Sequence, residues 1–336
     1  MSEIKKPLGK ITMYCTGGCG INIGSQLITD PKNEELGFAK VTPVFIDTSK
    51  SNLNKLPKDS PIYLIESDSR VIDGGGKVRA SNYEEIRARN LDILNKYKPG
   101  DLSIILHSAS GGSGSVIANE LLSELLNRKV PVMMMTVGSS DTLMELNNTV
   151  KTLKSFENTA KVRNVPVSMI YYENSEDTPR KVVDSNLINT VAFLAALYSR
   201  QNEELDSADL ANWLGYDKVT SFKPGLTVVG ICDSKIEATP NQVVVSVATL
   251  TNDSESFSTG LDNVEYQCVG ILPESVRALL KKTAPIHFAI FDGIVNEMVK
   301  KHTTRLKNFN ESMKARVSRD SFLTTDDVSE DSGIIL

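Results

Sequence analysis

Ser110-Gly111-Gly112-Ser113-Gly114-Ser115 joins a predicted strand to a predicted helix. The apolar run Leu102–His107 before it is typical of a buried strand, and a helical pattern, Gly114–Arg128, follows. Glycines at such a turn let backbone N–H groups approach an anion closely at the N-terminus of the following helix. The turn therefore predicts a phosphate site, although it lacks the Gly-Lys-Ser/Thr ending of a Walker P-loop.

A second glycine-rich stretch, Gly17-Gly18-Cys19-Gly20-Ile21-Asn22-Ile23-Gly24, follows the first predicted strand, and we expect a helix to begin after it. Taken alone, Gly18-x-Gly20 followed by Gly24 approximates a dinucleotide fingerprint, with Asp47 where a ribose-binding acid would lie. A plain strand-to-helix turn is the alternative explanation. Together with the Ser110–Ser115 turn, the stretch indicates a polyphosphate held from two neighbouring strands.

Strands and helices alternate over the first two thirds of the chain, which favours a parallel, doubly wound α/β sheet. Ligands of such sheets bind at the carboxyl ends of the strands. A long helix, Pro179–Gln201, and a smaller α+β part follow. The predicted strands are Lys10–Cys15, Val41–Ile46, Ile62–Ile65, Leu102–His107, Val130–Val137, Val167–Tyr172, Leu226–Cys232, Val243–Leu250, Glu265–Ile271 and Ile286–Asp292. The other predicted helices are Tyr83–Tyr97, Gly114–Arg128, Thr142–Arg163, Asp206–Leu214, one opening at Pro273, and Gly293–Arg319.

Composition limits the classes of protein to consider. The chain has 336 residues, 40% of them hydrophobic, and a net charge of −5, which allow two packed cores and disfavour a sequence-independent nucleic-acid binder. No apolar run reaches the roughly 20 residues that span a bilayer, and no signal-peptide pattern is present. The four cysteines and three histidines form no zinc-binding spacing. We expect a cytosolic protein with two domains and with no membrane or direct nucleic-acid partner.

The two glycine-rich stretches carry a family resemblance. Gly17–Gly24 resembles the Gly-Gln-Cys-Gly-Asn-Gln-Ile-Gly loop of tubulins. The later turn resembles the tubulin/FtsZ signature Gly-Gly-Gly-Thr-Gly-Ser, with serine at Ser110 and Ser113. The resemblance implies a tubulin/FtsZ-like fold in which GTP or GDP is bound by Gly17, Gly18, Cys19, Gly20, Asn22, Ser110, Gly111, Gly112, Ser113, Gly114 and Ser115.

Asp73-Gly74-Gly75-Gly76-Lys77-Val78-Arg79 lies where this family has the loop that senses the γ-phosphate. The resemblance implies that Gly75 and Gly76 lie beside the nucleotide. Lys77 or Arg79 would supply positive charge, which both glycine-rich stretches lack. A surface loop without a ligand is the alternative interpretation.

Guanine presents N1–H and N2–H donors, so a site that selects it needs a carboxylate or amide acceptor. The resemblance implies Asp184, early in the long helix, with Asn22 as a second candidate. Arg180 stands where the family usually stacks an aromatic ring on the base, and a guanidinium plane can stack there too. Asp141 matches the family's ribose-contacting acid. The alternatives are an ordinary acid near a helix N-terminus for Asp184 and an N-cap for Asp141.

Leu205-Asp206-Ser207-Ala208-Asp209 resembles the family's synergy loop, with Glu204 in place of the usual Asn. The carboxylates of Asp206 and Asp209, three positions apart at a helix start, project on one face, where they can orient a water or Mg²⁺ near a γ-phosphate. The resemblance implies that they complete the GTPase site of the next subunit in a head-to-tail filament. A capping acid and a first-turn acid are the alternative roles.

The last helix and the end of the chain resemble those of bacteriophage tubulins of the PhuZ type. Bases dominate the helix from Gly293, and an acidic tail ends the chain. Such complementary surfaces can propagate a contact between copies. The resemblance implies a homopolymer that forms a GTP-driven spindle, positions phage DNA or its associated cargo, and works in the host bacterial cytoplasm. A solvated helix face and a solubilising tail are the alternatives. The helix bases are Lys300, Lys301, Arg305, Lys307, Lys314, Arg316 and Arg319, and the tail acids are Asp326, Asp327, Glu330 and Asp331.

The predicted organisation has five parts. They are a GTP-binding domain over 1–178, a central core helix over 179–205, a synergy loop and second α+β domain over 206–292, a basic C-terminal helix over 293–322 and an acidic tail over 323–336. Two other functions stay open from the sequence. One is an NAD(P)-dependent oxidoreductase that uses the first glycine-rich stretch, and the other is a filament protein that binds nucleotide without hydrolysing it.

Overall fold

One mixed sheet forms the centre of the fold. The structure is a computed structural model, and it describes residues 7–27, 37–68, 70–233, 235–253, 258–274, 276 and 285–317. The strands of the sheet are β1 (Lys10–Thr16), β2 (Lys40–Asp47), β3 (Ile62–Leu64), β4 (Leu102–Ser108), β5 (Val132–Ser139), β6 (Val167–Asn174), β7 (Leu226–Cys232), β8 (Val243–Thr251), β9 (Gln267–Ile271) and β10 (Ile286–Asp292). Their order in the sheet is β3-β2-β1-β4-β5-β6-β7-β10-β8-β9.

The first six strands are parallel neighbours, as their alternation with helices predicted. β4 is buried over Leu102–His107, because helices cover both faces of the sheet at its centre. The doubly wound α/β fold is therefore confirmed. Because these strands run in one direction, their carboxyl ends share one edge, which we call the carboxyl edge.

The helices form two layers. Ile21 and Leu187 belong to a hydrophobic cluster on one face of the sheet, whereas Ile86 and Phe156 belong to a cluster on the other face. These residues place α1 and α6 on the first face and α3 and α5 on the second. The bounds are α1 (Gly17–Gly24), α2 (Lys50–Leu53), α3 (Tyr83–Lys96), α4 (Ser113–Asn127), α5 (Leu143–Arg163), α6 (Arg180–Leu197), α7 (Ser207–Leu214) and α8 (Ile294–Val317), with 3₁₀ turns at Ser25–Leu27 and Tyr216–Lys218.

β7 joins the two halves of the sheet, because it pairs in parallel with β6. β10 runs antiparallel to both of its neighbours, β7 and β8, and β9 lies parallel to β8. The fully buried Trp213 fixes α7 here, since its Nε1 donates to the carbonyl of Phe288 at 3.1 Å. These elements form the smaller α+β part that the sequence predicted, and the residue boundaries of the domains stay a prediction.

The start of α1 differs from the prediction. We expected a helix after Gly24, and this was wrong, because the glycine-rich stretch itself is helical. Gly20 and Gly24 lie one turn apart and face the sheet, where a Cβ at Gly20 would clash with the carbonyl oxygen of Leu106 and one at Gly24 with Cys15 Sγ. Close packing of helix on strand therefore outweighs the low helix propensity of glycine.

Two predicted features fall largely or wholly outside the described residues. They are the helix opening at Pro273 and the end of the chain, which includes Arg319 and the acidic tail from Asp326 to Leu336. In the parts of the chain that the structure does describe, no helix is both long enough and apolar enough to cross a membrane.

Candidate functional site

The N-termini of α1 and α4 touch at the carboxyl ends of the neighbouring strands β1 and β4. Gly17 has φ +68°, a left-handed conformation that suits glycine, and a Cβ there would lie 2.8 Å from Gly114 Cα. A Cβ at Gly114 would lie 2.9 Å from the carbonyl oxygen of Thr16. Only glycine at both positions allows this approach, which brings the two predicted phosphate turns side by side.

Gly18 is exposed, whereas Gly17 and Gly20 are buried. Asn52 lies beside Gly18, because a Cβ at Gly18 would be 3.1 Å from Asn52 Nδ2. That Nδ2 donates to Asp47 Oδ2 at 2.7 Å, and Asp47 is only 2% exposed, so burial raises its pKa. Asp47 thus holds Asn52 at the first turn. A contact between Asp47 and a ribose stays a prediction.

Serine hydroxyls organise the second turn. Ser115 Oγ donates to the carbonyls of Gly111 and Gly112, both at 2.9 Å. Thr48 Oγ1, at the end of β2, donates to Ser113 Oγ at 2.9 Å. These bonds hold the turn in place while the first backbone N–H groups of α4 still need an acceptor, as at any helix N-terminus.

The distribution of acids favours an anion at the same edge. α1, α4 and α6 follow β1, β4 and β6, and none of them has an acid in its first turn. By contrast, α3, α5, α7 and α8 each have at least one there. Because an acid would offset the partial positive charge of a helix N-terminus, α1, α4 and α6 keep that charge available to an anionic ligand. The four-residue α2 also lacks an acid in its first turn.

The segment Asp73–Arg79 crosses the second turn. A Cβ at Gly75 would lie 2.7 Å from Ser113 Oγ, and a Cβ at Gly112 would lie 3.1 Å from Lys77 Cα. Gly76 has φ +51°, and a Cβ there would meet no described atom within 4 Å. The segment therefore lies against the N-terminus of α4, and its contact with a γ-phosphate stays a prediction.

The two cations of this segment are held by other helices. Lys77 Nζ is 2.6 Å from Glu145 Oε1 of α5. Arg79 donates to Ser115 Oγ at 2.6 Å and also bonds Thr152 of α5, and burial lowers the pKa of its guanidinium. Arg79 therefore brings its charge to the second turn through Ser115, and direct phosphate contacts by Lys77 or Arg79 stay a prediction.

The two residues predicted to recognise the base lie together. Asn22 Nδ2 donates to Asp184 Oδ2 at 3.4 Å. Asp184 is 9% exposed; burial raises its pKa, and the charge of Arg180 opposes that rise. The Cys19 thiol lies near both charges, and burial raises its pKa to about 12, so it is neutral. The contacts of Asn22, Asp184 and Arg180 with a base, and of Cys19 with the nucleotide, stay predictions.

The β5–α5 loop contains the predicted ribose acid. Asp141 is exposed, and Ser139 Oγ donates to its Oδ2 at 3.4 Å. The alternative role of Asp141 as the N-cap of α5 is wrong, because the N-cap is Thr142, whose Oγ1 accepts from the N–H of Glu145 at 3.2 Å. Arg305 of α8 donates to Ser140 Oγ at 2.6 Å, so the C-terminal helix contacts this loop.

Asp206 and Asp209 lie at the opposite edge of the sheet. The end of α6 reaches the start of β1, where the Gly9 N–H donates to the carbonyl of Ser199 at 3.1 Å. Asp206 lines a cavity of about 630 Å³ together with Gly100 and Pro131, which precede β4 and β5. Both acids therefore lie at the amino ends of the strands, far from the glycine turns.

Asp206 and Asp209 also form a capping box at the start of α7. Asp206 Oδ1 accepts from the N–H groups of Ala208 at 2.7 Å and Asp209 at 3.0 Å, and Asp209 Oδ2 accepts from the Asp206 N–H at 3.0 Å. These bonds lower the pKa of Asp206. Asp206 and Asp209 therefore do have the capping role given above as an alternative. Asp206 is nevertheless exposed, and its carboxylate is ionised at neutral pH.

Sequence reasoning missed Glu145, Asn148 and Asn52. Glu145 had a local signal, because the Thr142-x-x-Glu145 spacing is that of a capping box. Asn148 donates to the carbonyl of Lys77, 71 positions earlier, at 2.8 Å. Such contacts between distant segments leave no local pattern, so Asn148 and Asn52 emerge only from the folded chain.

Two family patterns match the chain. The GTPase domain of the tubulin/FtsZ family matches residues 10–175, and the C-terminal domain of phage tubulin-like proteins matches residues 205–294. A phage tubulin-like protein of Pseudomonas phage phiKZ is 28% identical, and the match covers 97% of this chain and 98% of that protein.

Solved structures agree. The protofilament of TubZ from bacteriophage PhiKZ superposes with a TM-score of 0.78 at 27% identity, over 98% of this chain and 99% of that one. The phage tubulin PhuZ with GDP superposes with a TM-score of 0.83 at 22% identity, over 98% and 100% of the two chains, and supports the fold alone. Together with the glycine turns and the acids after α6, these matches confirm the predicted resemblance: the chain belongs to the tubulin/FtsZ family and has a phage tubulin-like C-terminal domain.

Proposed function

We propose that this chain binds GTP at the carboxyl edge, assembles head to tail with copies of itself, and hydrolyses GTP where two copies meet. The position of Asp206 and Asp209 at the opposite edge carries this proposal. A parallel strand of seven residues spans about 23 Å, so neither carboxylate reaches the glycine turns of its own chain. A second copy stacked on that edge would present both acids to the bound nucleotide.

In the proposed complex, the first N–H groups of α1 and α4 donate to the phosphates. Gly18 and Gly111 allow the close approach of the backbone, because neither residue carries a side chain. Asp184 accepts from guanine N1–H and N2–H, beside Asn22 and the stacking group Arg180. Asp141 accepts from a ribose hydroxyl, and the other turn residues predicted from the sequence line the phosphates.

The neighbouring copy would contribute the hydrolytic step. Asp206 and Asp209 would orient a water for attack on the γ-phosphorus, the bond to the bridging β-phosphate oxygen would break, and GDP and phosphate would result. The lowered pKa of Asp206 supports this role, since the carboxylate is then ionised and accepts a hydrogen bond from water at neutral pH.

Mg²⁺ would offset part of the phosphate charge in this complex. Among the described side chains, no group of three or more His, Cys, Asp or Glu is arranged to hold a metal ion. We therefore assign the ion to the phosphates and propose that Asp206 and Asp209 of the next copy approach it.

Self-assembly is supported by the TubZ of bacteriophage PhiKZ, whose structure is a protofilament. The exposed bases Lys300, Lys301, Arg305 and Lys307 give α8 a positive face. We propose that this face binds the acidic tail of a neighbouring copy. From the resemblance to bacteriophage tubulins stated above, we further propose that the filaments form a spindle that positions phage DNA or its associated cargo in the host cytoplasm.

Mixing two inactive variants tests hydrolysis between copies. Asp206→Asn with Asp209→Asn keeps a residue that can cap α7 but removes both charges. Asp184→Ala keeps the acids but weakens base recognition. Each variant alone should release little phosphate, whereas a mixture should regain part of the wild-type rate, because one copy supplies the nucleotide and the next supplies the acids.

Glu203→Gln is the matched control for charge, since Glu203 is an exposed acid just before the loop, and it should retain wild-type turnover. Wild-type activity in the acid variant, or no recovery on mixing, would contradict hydrolysis between copies. Assembly with GTP but without any phosphate release would favour a filament protein that does not hydrolyse. Binding of NAD(P) instead of GTP would favour the oxidoreductase.

A further inference from the structure

We infer that Asn148 is a positioning residue that holds the Asp73–Arg79 segment over the N-terminus of α4, and so sets the preference for a nucleoside triphosphate over a diphosphate. This inference rests on the proposed nucleotide site. Asn148 lies on α5 and is 6% exposed, and its contacts join parts of the site that are distant in sequence.

One amide group joins the two loops. Asn148 Nδ2 donates to the carbonyl of Lys77 at 2.8 Å and to the carbonyl of Ser110 at 3.1 Å, so both of its protons are used. Lys77 belongs to the segment expected to contact the γ-phosphate, and Ser110 opens the second glycine turn. The amide therefore sets the distance between these two parts of the site.

The backbone at Lys77 needs such support. Its φ of +64° is left-handed, which is unfavourable for a residue with a Cβ. Two groups of α5, one turn apart, hold it there: Asn148 at the carbonyl, and Glu145 Oε1 at 2.6 Å from Nζ. Gly112 lies directly beneath, where a Cβ would be 3.1 Å from Lys77 Cα. A shift of Lys77 therefore changes the space at the start of α4.

The location of the segment explains why it would distinguish the two nucleotides. Asn22 and Asp184, the proposed base site, lie between α1 and α6. The segment instead contacts α4 and the end of β2, where the Gly74 N–H donates to the carbonyl of Thr48 at 3.3 Å. A nucleotide that extends from the base site across both glycine turns brings its terminal phosphate to the segment last. If the segment loses its position, the affinity for the triphosphate should therefore fall more than the affinity for the diphosphate.

Two variants test the inference. Asn148→Asp replaces the donor by a carboxylate that faces two carbonyl oxygens, and Asn148→Ala removes the amide. The control is Asn147→Ala, because Asn147 is the residue of α5 immediately before Asn148 and projects about 100° away around the helix. Circular dichroism and melting confirm that each variant is folded. Affinities for GDP and for a non-hydrolysable GTP analogue are measured by calorimetry below the assembly concentration.

We expect both variants to bind the triphosphate at least about tenfold more weakly and to change the diphosphate affinity by less than about threefold. In nucleotide-free protein, trypsin should cleave after Lys77 faster in Asn148→Ala than in the wild type. The control should match the wild type in both assays. Equal losses for the two nucleotides, no loss, or unchanged cleavage would overturn the inference.

The two proposals fail in different ways. If the wild type binds neither guanine nucleotide, the proposed function fails, and the cleavage comparison still decides whether Asn148 holds Lys77. If the wild type binds GTP and the variants keep its preference for the triphosphate, the proposed function stands and the role of Asn148 fails.

Discussion

Asn22 Nδ2 lies 3.4 Å from Asp184 Oδ2, although α1 and α6 are far apart in the sequence. The pair forms because α1 and α6 cover the same face of the sheet and because Asn22 lies in the last turn of the short α1, next to the first turns of α6. An amide and a carboxylate are thereby placed side by side at the carboxyl edge. This arrangement supports a base site in which Asp184 accepts from guanine.

Asp184→Asn should weaken GTP binding about 10- to 100-fold, because a hydrogen bond to a charged acceptor contributes about 1.5–3 kcal/mol. ITP lacks the exocyclic amine of GTP, so the wild type should prefer GTP and the variant should lose most of that preference. Competition binding with GTP, ITP and ATP measures the order of affinities in the wild type and in the variant. If the variant keeps the wild-type order of affinities, Asp184 does not contact the base.

Gly114→Ala should lower the free energy of unfolding by about 2 kcal/mol or more, since its Cβ would press on the backbone of Thr16 and Gly17. Gly111→Ala is the matched control in the same turn, because its Cβ would meet the carbonyl oxygen of Ser108 at an ordinary 3.6 Å. The control should change stability by less than about 1 kcal/mol. Urea unfolding of the nucleotide-free proteins measures the loss of stability in each variant. Equal losses in Gly114→Ala and Gly111→Ala would contradict the close approach of α1 and α4.

The sheet was predictable because its strands are short apolar runs bounded by turn residues. Leu226–Cys232 and Ile286–Asp292 were predicted with the bounds that the structure gives. The helical state of Gly17–Gly24 was not predictable, because it depends on contacts with β1 and β4 that no local pattern records. The position of the glycine turns after β1 and β4 could be predicted from motif and family spacing, and the role of Asp184 stays a prediction. The contacts of Asn148 and Arg79 could not, since they join segments that only the fold brings together.

Acid should destabilise the protein through His107. Its side chain is fully buried, Nε2 lies 3.0 Å from Thr136 Oγ1, and burial lowers its pKa from 6.5 to about 4. As the pH falls, the histidine of the unfolded chain takes up a proton before the buried His107 does. The free energy of unfolding should therefore fall by up to about 3 kcal/mol between about pH 6.5 and about pH 4. Below about pH 4 this contribution should not change further.

His107→Asn removes this titration and keeps an amide near Thr136. The difference in unfolding free energy between wild type and variant, measured in urea at several pH values, should therefore shrink or reverse toward pH 4. The buried His287 and His302 also have lowered pKa values, so part of the acid sensitivity should remain in the variant. Parallel pH profiles for the two proteins would show that His107 does not cause the effect.

Glu204→Asn tests the departure of this chain from the family pattern after α6. Glu204 has φ +59°, and Asn adopts this left-handed conformation more readily than Glu, so the change should stabilise the protein by about 0.5–1 kcal/mol. Glu203→Asn removes the same charge from a neighbour whose φ is not left-handed, and it should bring no such gain. GTP turnover should stay at or above the wild-type rate, since Asp206 and Asp209 remain. A loss of turnover would instead show that the carboxylate of Glu204 takes part in hydrolysis.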